Sequence, residues 1–388
     1  MRLCHALAGL LIAALGATGA GAQTAEEVLE RLLTEGADAV TFSQQFRDQV
    51  SVETVQRVLD RFRDDYGEMR ALRFEEESGA VIYDGHRLPV SFALNDAGEV
   101  ALLRFDPAER IVGDLAEAVV AFHELGADVA WLATREGEVL SAQDADAPLA
   151  VGSAYKLGVL SVLVADIEEG ARDWADVVRI ADADRSLPSG RMQDFPADAP
   201  VTLHTAALAM IAESDNTGAD LLTRVLGRDR VAERLGIAAE DFLTTREFFG
   251  LKADADLRAR WREAEAAERP ALAREAAGTL PDAADVMAPY TAGVEWEIPL
   301  ERLCALIEPL ADEPLMQVNP GPLRGSDWAR VAYKGGSETG VVNFTAFLRD
   351  PAGQGHCLAL TVNDPEAVSL EEAAAAFRTA AGALRLAP

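Results

Sequence analysis

A serine and a lysine three residues apart form the first pair whose side chains could do chemistry. Ser153 and Lys156 lie in the run Val-Gly-Ser-Ala-Tyr-Lys, where the apolar pattern indicates the beginning of a helix. Side chains three residues apart on a helix share one face, with Cβ atoms about 5–6 Å apart. A serine is a poor nucleophile until a base takes its proton, and a lysine with a lowered pKa can be that base. The pair therefore predicts acyl transfer, with a plain helix cap at Ser153 as the alternative.

Lysine is rare in this chain, which makes each lysine informative. Of the 35 Lys and Arg residues, only Lys156, Lys252 and Lys334 are lysines. An ammonium group can lose its proton during catalysis, whereas a guanidinium in practice cannot. Because two of the three lysines lie in candidate motifs, we expect Lys156 and Lys334 to belong to one site.

Two further polar motifs follow along the chain. The sequence Ser-Asp-Asn at 214–216 comes after a helix predicted over residues 201–213, so its hydroxyl and amide could face the first pair. The sequence Lys-Gly-Gly-Ser at 334–337 comes after a strand predicted over residues 330–333. Its small residues would let a substrate lie along the strand edge, and its lysine would supply a cation for an anionic group. The alternatives are a polar turn and an ordinary strand end with a glycine turn.

The three motifs, in this order, resemble the S-x-x-K, S-D-N and K-T-G set of class A β-lactamases and penicillin-binding proteins. The resemblance covers roughly residues 111–388. It implies one role for each matching residue, in chain order: nucleophile Ser153, general base Lys156, proton shuttle Ser214, substrate and lysine contact Asn216, and electrostatic cation Lys334.

The resemblance also implies how a carbonyl oxygen would be held. The backbone N–H groups of Ser153 and Ser337 would bind it, while Gly336 would let the substrate lie against the strand. The third motif departs from the family, because Gly335 stands where threonine is expected and removes a hydroxyl that would help hold a carboxylate. The hydroxyl of Ser337 is a candidate replacement.

A second departure concerns release of the acyl group. Class A enzymes carry R-x-E-x-x-L-N, whose glutamate activates the hydrolytic water. Arg246 and Leu251 are in register with this pattern, but Glu247 stands one place early and Lys252 replaces the asparagine. We expect slow deacylation, with Glu247 as the candidate catalytic carboxylate and a salt bridge from Glu247 to Arg246 or another arginine as the alternative.

Positioning these motifs requires an α+β domain. Residues 115–125 and 370–384 are predicted helices, and the Ala/Glu/Arg-rich residues 254–277 are predicted to be a solvated helix. Short alternating segments predict strands near both ends of the domain, at residues 127–133, 138–143, 330–333, 341–348 and 357–363. Both ends should therefore share one antiparallel sheet flanked by helices, with a helical lobe between them and a cleft between sheet and lobe. This is the architecture expected of a β-lactamase-like domain.

Residues 23–110 predict a separate small α+β module. Helical periodicity over residues 24–62 gives way to four short alternating strands between residues 71 and 105. The order of elements resembles NTF2-like or cystatin-like modules in front of some extracellular enzymes. We expect packing or positioning of the next domain as its role, with enclosure of a small ligand as the alternative.

The amino terminus and the charge set the compartment and exclude one class of partner. Residues 1–22 read as a secretory leader with an A-x-A-like end, which predicts a periplasmic or secreted protein without a stable membrane anchor. The chain has 65 acidic residues and a formal net charge of -30, so nucleic acid is excluded as a partner. Cys304 and Cys357 could pair in such a compartment or remain two buried thiols.

The sequence therefore predicts an exported serine hydrolase that acts on a small molecule through an acyl-enzyme on Ser153. The expected substrate is a β-lactam or a related amide or ester. The alternatives are a peptidoglycan D,D-peptidase and a non-hydrolytic ligand-binding pseudoenzyme. The few cysteines and scattered histidines form no metal-ligand spacing, so no metal or other cofactor is expected. The sequence leaves the oligomeric state open.

Overall fold

The computed structural model describes residues 24–386, apart from residue 76 and residues 287–289. The expected leader at residues 1–22 lies outside the described residues. The chain divides into two compact units, of which the first ends at Ala108 and the second begins at Glu109.

The first unit places helices before an antiparallel sheet. Thr24, Ser43 and Ser51 cap its helices, each through a side-chain oxygen that accepts a backbone N–H. Its elements are α1 Ala25–Glu35, α2 Gln44–Arg47, α3 Val52–Tyr66, β1 Ala71–Glu75, β2 Ser78–Tyr83, β3 His86–Leu94 and β4 Val100–Phe105. The strands pair in the order β1-β2-β3-β4, and the apolar faces of helices and sheet form one core. The likeness to NTF2-like or cystatin-like modules stays a prediction.

The second unit is built on a five-stranded sheet. The strands of this unit are β5 Glu109–Arg110, β6 Asp128–Arg135, β7 Glu138–Gln143, β8 Val177–Arg179, β9 Pro200–Thr202, β10 Arg330–Glu338, β11 Val341–Arg349 and β12 Gly355–Asn363. Five of them, β6, β7, β10, β11 and β12, form the sheet, while β8 and β9 pair with each other. The sheet has the order β10-β11-β12-β6-β7, and all neighbouring strands are antiparallel. Strands from both ends of the unit thus share one sheet, and β10 is an edge strand. The expected α+β fold class is confirmed.

Helices cover the sheet and form the lobe. They are α4 Leu115–Ala118, α5 Lys156–Glu168, α6 Leu203–Ala212, α7 Asn216–Leu226, α8 Arg228–Leu235, α9 Thr245–Ala253, α10 Ala255–Glu263, α11 Arg269–Ala276, α12 Leu300–Leu310 and α13 Leu370–Leu386. Helix α13 packs with α4 in one apolar core, while α5 to α12 share a second core. The almost wholly buried α5 runs through this second core, which explains why its sequence is apolar on all sides.

Three predicted elements were wrong in detail. The expected single helix at residues 254–277 is two helices, α10 and α11, whose buried Trp261 and Leu272 pack into the lobe. The expected helix at residues 115–125 becomes a 3-10 helix after α4. The strand expected to end at residue 333 continues through Glu338, because pairing with β11 holds the glycine-rich segment extended.

A disulfide joins Cys304 of α12 to Cys357 of β12, with Cα atoms 5.9 Å apart. Both residues are buried in the core that the lobe shares with the sheet. The bond therefore ties a lobe helix directly to a central strand. In the described part of the chain, the helices are all too short or too polar to cross a membrane.

Candidate active site

Ser153 lies in a tight turn at the front of the buried helix α5. The turn Gly152–Tyr155 is 3-10, and the α-helix begins only at Lys156, three residues later than the sequence predicts. The backbone N–H of Val151 donates to the carbonyl oxygen of Trp296 at 3.0 Å. The ring of Tyr155 stacks on that of Trp296 with centroids 4.3 Å apart. These two contacts fix the turn from both sides, so Ser153 stands on rigid backbone.

Lys156 is fully buried, and its amine contacts residues of the first and the second motif. Its Nζ lies 3.2 Å from Ser153 Oγ and 3.2 Å from Ser214 Oγ. It also lies 2.5 Å from the carbonyl oxygen of Ser214 and 2.6 Å from Oδ1 of Asn216. The Asn216 amide is oriented by its own Nδ2, which donates to Leu187 O at 2.9 Å. The structure therefore brings three of the predicted site residues, Ser153, Ser214 and Asn216, around the amine of a fourth, Lys156.

Burial, and secondarily the charge of Lys334, lowers the pKa of Lys156 well below its usual range. A neutral amine has two N–H groups and one lone pair. The carbonyl of Ser214 and Oδ1 of Asn216 can only accept, so they take the two N–H groups. The lone pair then faces the hydroxyls, and the Ser153 O–H can donate to it. This arrangement suits a general base next to a nucleophile.

The loop that carries Ser214 is held in an unusual backbone conformation. Ser214 has a φ of 56°, in the left-handed region that non-glycine residues seldom adopt. Asp215 fixes it from the next position, since its carboxylate caps α7 and accepts the N–H groups of Arg191 and Met192 at 2.7 and 2.8 Å. Ser189 Oγ donates to the Ser214 carbonyl at 2.7 Å. The second motif is thus both a polar turn that caps a helix and a loop that contributes to the candidate site, the two interpretations given from the sequence.

Lys334 reaches the same hydroxyl from the sheet. It is 3% exposed, and its Nζ donates to Ser214 Oγ at 3.1 Å and to the carbonyl of Gly335. Burial lowers its pKa to about 7. Ser214 therefore stands between two amines, Lys156 on one side and Lys334 on the other. That position suits a hydroxyl that passes a proton.

The third motif has a glycine at 335 because Tyr333 fills the neighbouring space. A Cβ at Gly335 would lie 2.1 Å from the Tyr333 hydroxyl oxygen and 2.6 Å from Asn343 O. The Asn343 carbonyl belongs to paired backbone in β11 and cannot yield. A threonine is therefore sterically excluded, and the Tyr333 hydroxyl occupies the place of its side chain. Tyr333 was missed in the sequence, because only the ring position shows that it reaches residue 335.

Strand β10 and the turn that carries Ser153 lie close together because each has a glycine at the contact, Gly336 in the strand and Gly152 in the turn. A Cβ at Gly336 would lie 2.4 Å from the Ser153 nitrogen, and one at Gly152 would lie 3.4 Å from the Ser337 nitrogen. The two backbone amides that the resemblance assigns to the carbonyl oxygen are therefore neighbours. Gly336 serves this approach, since any side chain there would separate strand and turn.

Glu247 takes its hydrogen bonds from residues outside this group. It caps α9, where its Oε2 accepts the Thr244 N–H at 2.8 Å, and its Oε1 pairs with Arg228 at 2.8 Å. Both carboxylate oxygens are thereby occupied, and the partner is Arg228 and not Arg246. The position two residues after Arg246, where the motif has its glutamate, holds Phe248, whose ring packs on Trp296. The structure does not support Glu247 as a catalytic carboxylate, and we assign it to the cap and the salt bridge.

Asp220 is a buried acid that the sequence analysis missed. Its oxygens accept the backbone N–H groups of Thr245 and Arg246 at 2.7 and 2.9 Å. Burial raises its pKa to about 7, and its charge favours the protonated form of Lys156. A single aspartate in the apolar helix segment Ala-Asp-Leu-Leu was the available signal. Among the residues that the structure describes, no His, Cys, Asp and Glu side chains group to hold a metal ion.

Comparison with protein families gives one match. Residues 108–280, which include the first two motifs, match the model of the beta-lactamase enzyme family. No curated protein matches the chain.

Two solved structures are similar in fold. The beta-lactamase from Sphaerobacter thermophilus DSM 20745 has 21% identity and a TM-score of 0.50, and the match covers 71% of this chain and 98% of that one. A beta lactamase from Xanthomonas campestris pv. campestris str. ATCC 33913 has 14% identity, a TM-score of 0.50 and the same coverage. The expected resemblance is therefore confirmed: the unit that begins at Glu109 has a β-lactamase fold and is similar to the beta-lactamase enzyme family.

Proposed function

We propose that the protein is an exported serine hydrolase that forms an acyl-enzyme on Ser153 with a β-lactam or a related amide or ester. The observation that carries this proposal is the contact of the buried, pKa-lowered Lys156 with both Ser153 Oγ and Ser214 Oγ. No metal or other cofactor is needed, because base, shuttle and oxyanion amides all come from the chain.

Each step follows from the contacts. The Ser153 hydroxyl gives its proton to Lys156 Nζ as Oγ attacks the carbonyl carbon, and the carbonyl oxygen becomes an oxyanion. The Ser153 and Ser337 N–H groups would stabilise that charge. The proton then passes from Lys156 through Ser214 to the leaving nitrogen or oxygen, while Lys334 favours negative charge beside it. The C–N or C–O bond breaks, and the acyl group remains on Ser153.

Hydrolysis of the acyl-enzyme is proposed to be slow. The in-register position of the deacylation motif is Phe248, and Glu247 is occupied by Arg228 and Thr244. A water molecule would then lack a dedicated carboxylate as its base. Lys156, whose Nζ lies 3.2 Å from Ser153 Oγ, is proposed to activate that water once it has passed its proton on.

The test is steady-state hydrolysis of a chromogenic β-lactam and of a neutral phenyl ester. The native protein should give a fast burst followed by slow turnover. The Ser153→Ala variant should lose both phases, while the matched Ser161→Ala variant, which removes a hydroxyl of α5 that contacts Arg234 and not the site, should keep the burst. Equal turnover in native protein and Ser153→Ala would contradict the proposal.

A D,D-peptidase is the second candidate. The hydrogen bonds of Glu247 to Arg228 and Thr244 favour it, because an enzyme that passes its acyl group to an amine does not need a carboxylate that activates water. Cleavage of a D-Ala-D-Ala peptide that is lost in Ser153→Ala would support it. Inert peptides alongside active lactam hydrolysis would exclude it. Tight ligand binding that survives Ser153→Ala without any turnover would instead identify a pseudoenzyme.

A further inference from the structure

Three charged side chains outside the proposed reaction machinery meet near the end of β10. Lys252 of α9 places its Nζ 3.1 Å from Glu295 Oε1 and 3.1 Å from Glu338 Oε2. The side chains of Lys252 and Glu295 are 1% and 0% exposed, and that of Glu338 is 18% exposed. We refer to these three residues as the Lys252 cluster.

The charges of the Lys252 cluster do not balance if both acids are ionised. Two carboxylates and one ammonium leave one buried negative charge, which is costly without a partner. The second oxygens, Glu295 Oε2 and Glu338 Oε1, are buried and have no hydrogen-bond donor. The two carboxyl groups lie within hydrogen-bonding reach of each other. One proton shared by the two carboxyl groups would give this buried pair a hydrogen-bond donor and make the cluster neutral.

The pKa of Glu295 also favours a protonated carboxyl group in the cluster. Burial, followed by the hydrogen bond to Glu338 and its charge, raises the pKa of Glu295 well above its usual range, and Lys252 opposes this only in part. Tyr290 also lies close enough to Glu295 to feel its charge, and its pKa is raised to about 12 by burial and then by Glu297, Glu295 and Asp128. Tyr290 therefore remains neutral and supplies no compensating charge.

The Lys252 cluster connects the segments that border the nucleophile. Glu338 directly follows Ser337, whose N–H is one of the two proposed oxyanion donors. Glu295 directly precedes Trp296, whose carbonyl accepts the Val151 N–H two residues before Ser153. An isolated antiparallel bridge between residues 150 and 297 continues this contact. A shift of Glu338 or Glu295 would therefore be passed to one of the two amides, and Lys252 holds both carboxylates in place.

We propose that Glu295 and Glu338 share one proton beside Lys252, and that this cluster positions the N–H groups of Ser337 and Ser153 for the reacting oxygen. This inference rests on the proposed acyl transfer. The three side chains are positioning residues, since they act through neighbouring backbone and do not touch the substrate.

The shared proton predicts a direction for stability against pH. A carboxyl group with a raised pKa keeps in the folded protein a proton that the unfolded chain releases above about pH 4.5. The free energy of unfolding should therefore fall as pH rises from there through the raised folded-state pKa of Glu295. In Glu295→Gln the amide replaces the shared proton as hydrogen-bond donor, and this fall should disappear.

The experiment compares the native protein with Glu295→Gln, Glu295→Ala and Lys252→Met. Denaturant unfolding between pH 4.5 and 9 gives the free energy of unfolding of each protein against pH. The difference between the native and Glu295→Gln profiles reports the contribution of the shared proton. Single-turnover acylation by a chromogenic β-lactam separates the dissociation constant from the acylation rate constant. Glu295→Ala and Lys252→Met should lower that rate constant about tenfold or more with the dissociation constant within about threefold, and Glu295→Gln should recover most of the loss.

Parallel pH profiles in native protein and Glu295→Gln would overturn the shared proton. Acylation rate constants in Glu295→Ala and Lys252→Met that equal the native value would overturn the positioning role. If Glu295→Ala does not fold, Lys252→Met and Glu295→Gln still decide both points. No acylation in the native protein would overturn the proposed function and the positioning role together, whereas the unfolding profiles would still decide the shared proton.

Discussion

At the scale of single residues, the reaction depends on keeping Lys156 neutral inside the protein. Burial and the charge of Lys334 both lower the pKa of Lys156. The amine is the base only after it has lost its proton, so acylation should accelerate as pH rises through that lowered pKa. The pKa of Lys334 is about 7, so its positive charge is lost at higher pH.

The first prediction is a pH profile that depends on the charge of the substrate. For an anionic β-lactam, apparent affinity should fall above about pH 7 as Lys334 loses its charge. A neutral phenyl ester should instead keep its affinity on the alkaline side. In Lys334→Met the acid limb should move to higher pH, because Lys156 no longer feels a neighbouring cation. Stopped-flow acylation of both substrates measures this, and identical alkaline limbs would contradict it.

The second prediction concerns Glu247. Glu247→Gln should lower the free energy of unfolding by about 1–3 kcal/mol, because Arg228 loses its carboxylate. The deacylation rate should change by less than about twofold, since this residue has no role in the reaction. Thr244→Ala, which breaks the other half of the same cap, is the matched control. A fall in deacylation by orders of magnitude in Glu247→Gln alone would show that Glu247 is the missing base.

The third prediction concerns Tyr333. Burial raises the pKa of its phenol, so the hydroxyl remains a donor across the neutral range. Tyr333→Phe should weaken binding of an anionic β-lactam about three- to tenfold, while binding of a neutral ester is unchanged. Equilibrium binding to the Ser153→Ala variant background measures the affinity without turnover. Equal losses for both ligands would indicate general disruption of β10.

The residues of the three motifs could be predicted from the sequence, whereas the residues that surround and position them could not. Ser153, Lys156, Ser214, Asn216 and Lys334 could be selected because residue type and spacing alone suggest chemistry. Tyr333, Asp220 and Glu295 could not, since nothing in local sequence tells which buried groups a fold will bring together. For the same reason the sequence left two interpretations of Glu247 open, since a helix cap and a catalytic loop both place an acid near the beginning of α9.

At the scale of elements, tertiary contacts explain why some helices and strands do not begin or end where the local sequence pattern predicts. The two glycines of β10 predict a turn, yet pairing with β11 keeps the strand straight as far as Glu338. Residues 254–277 are rich in charge and predict a solvated helix, yet Trp261 is 1% exposed and anchors the segment in the lobe. The order of strands and helices was predictable, because alternation and helical periodicity survive such adjustments.

The fourth prediction belongs to α12 and β12. The disulfide between Cys304 and Cys357 closes a loop with a sequence separation of 53. Replacing both cysteines with alanine should lower the free energy of unfolding by about 2–4 kcal/mol. The burst of acylation should persist at low temperature, since neither cysteine touches the proposed machinery. Unfolding with and without a reductant checks this, and unchanged stability after complete reduction would contradict it.

At the scale of the whole molecule, the net charge is acidic, while the candidate site is built around basic side chains. The formal net charge is -30, yet two of the three lysines meet at one hydroxyl. Burial lowers the pKa of both lysines, so the site can change its charge near neutral pH while the surface remains acidic.

The fifth prediction tests the central claim, that Ser153 is acylated and released slowly. Purified protein is mixed with benzylpenicillin, quenched after seconds and after hours, and analysed by intact mass and peptide mapping. We predict an adduct of one intact penicillin on the peptide that contains Ser153, formed early, still present later, and absent in Ser153→Ala. An unmodified Ser153 peptide at every time, with or without loss of penicillin, would contradict the account.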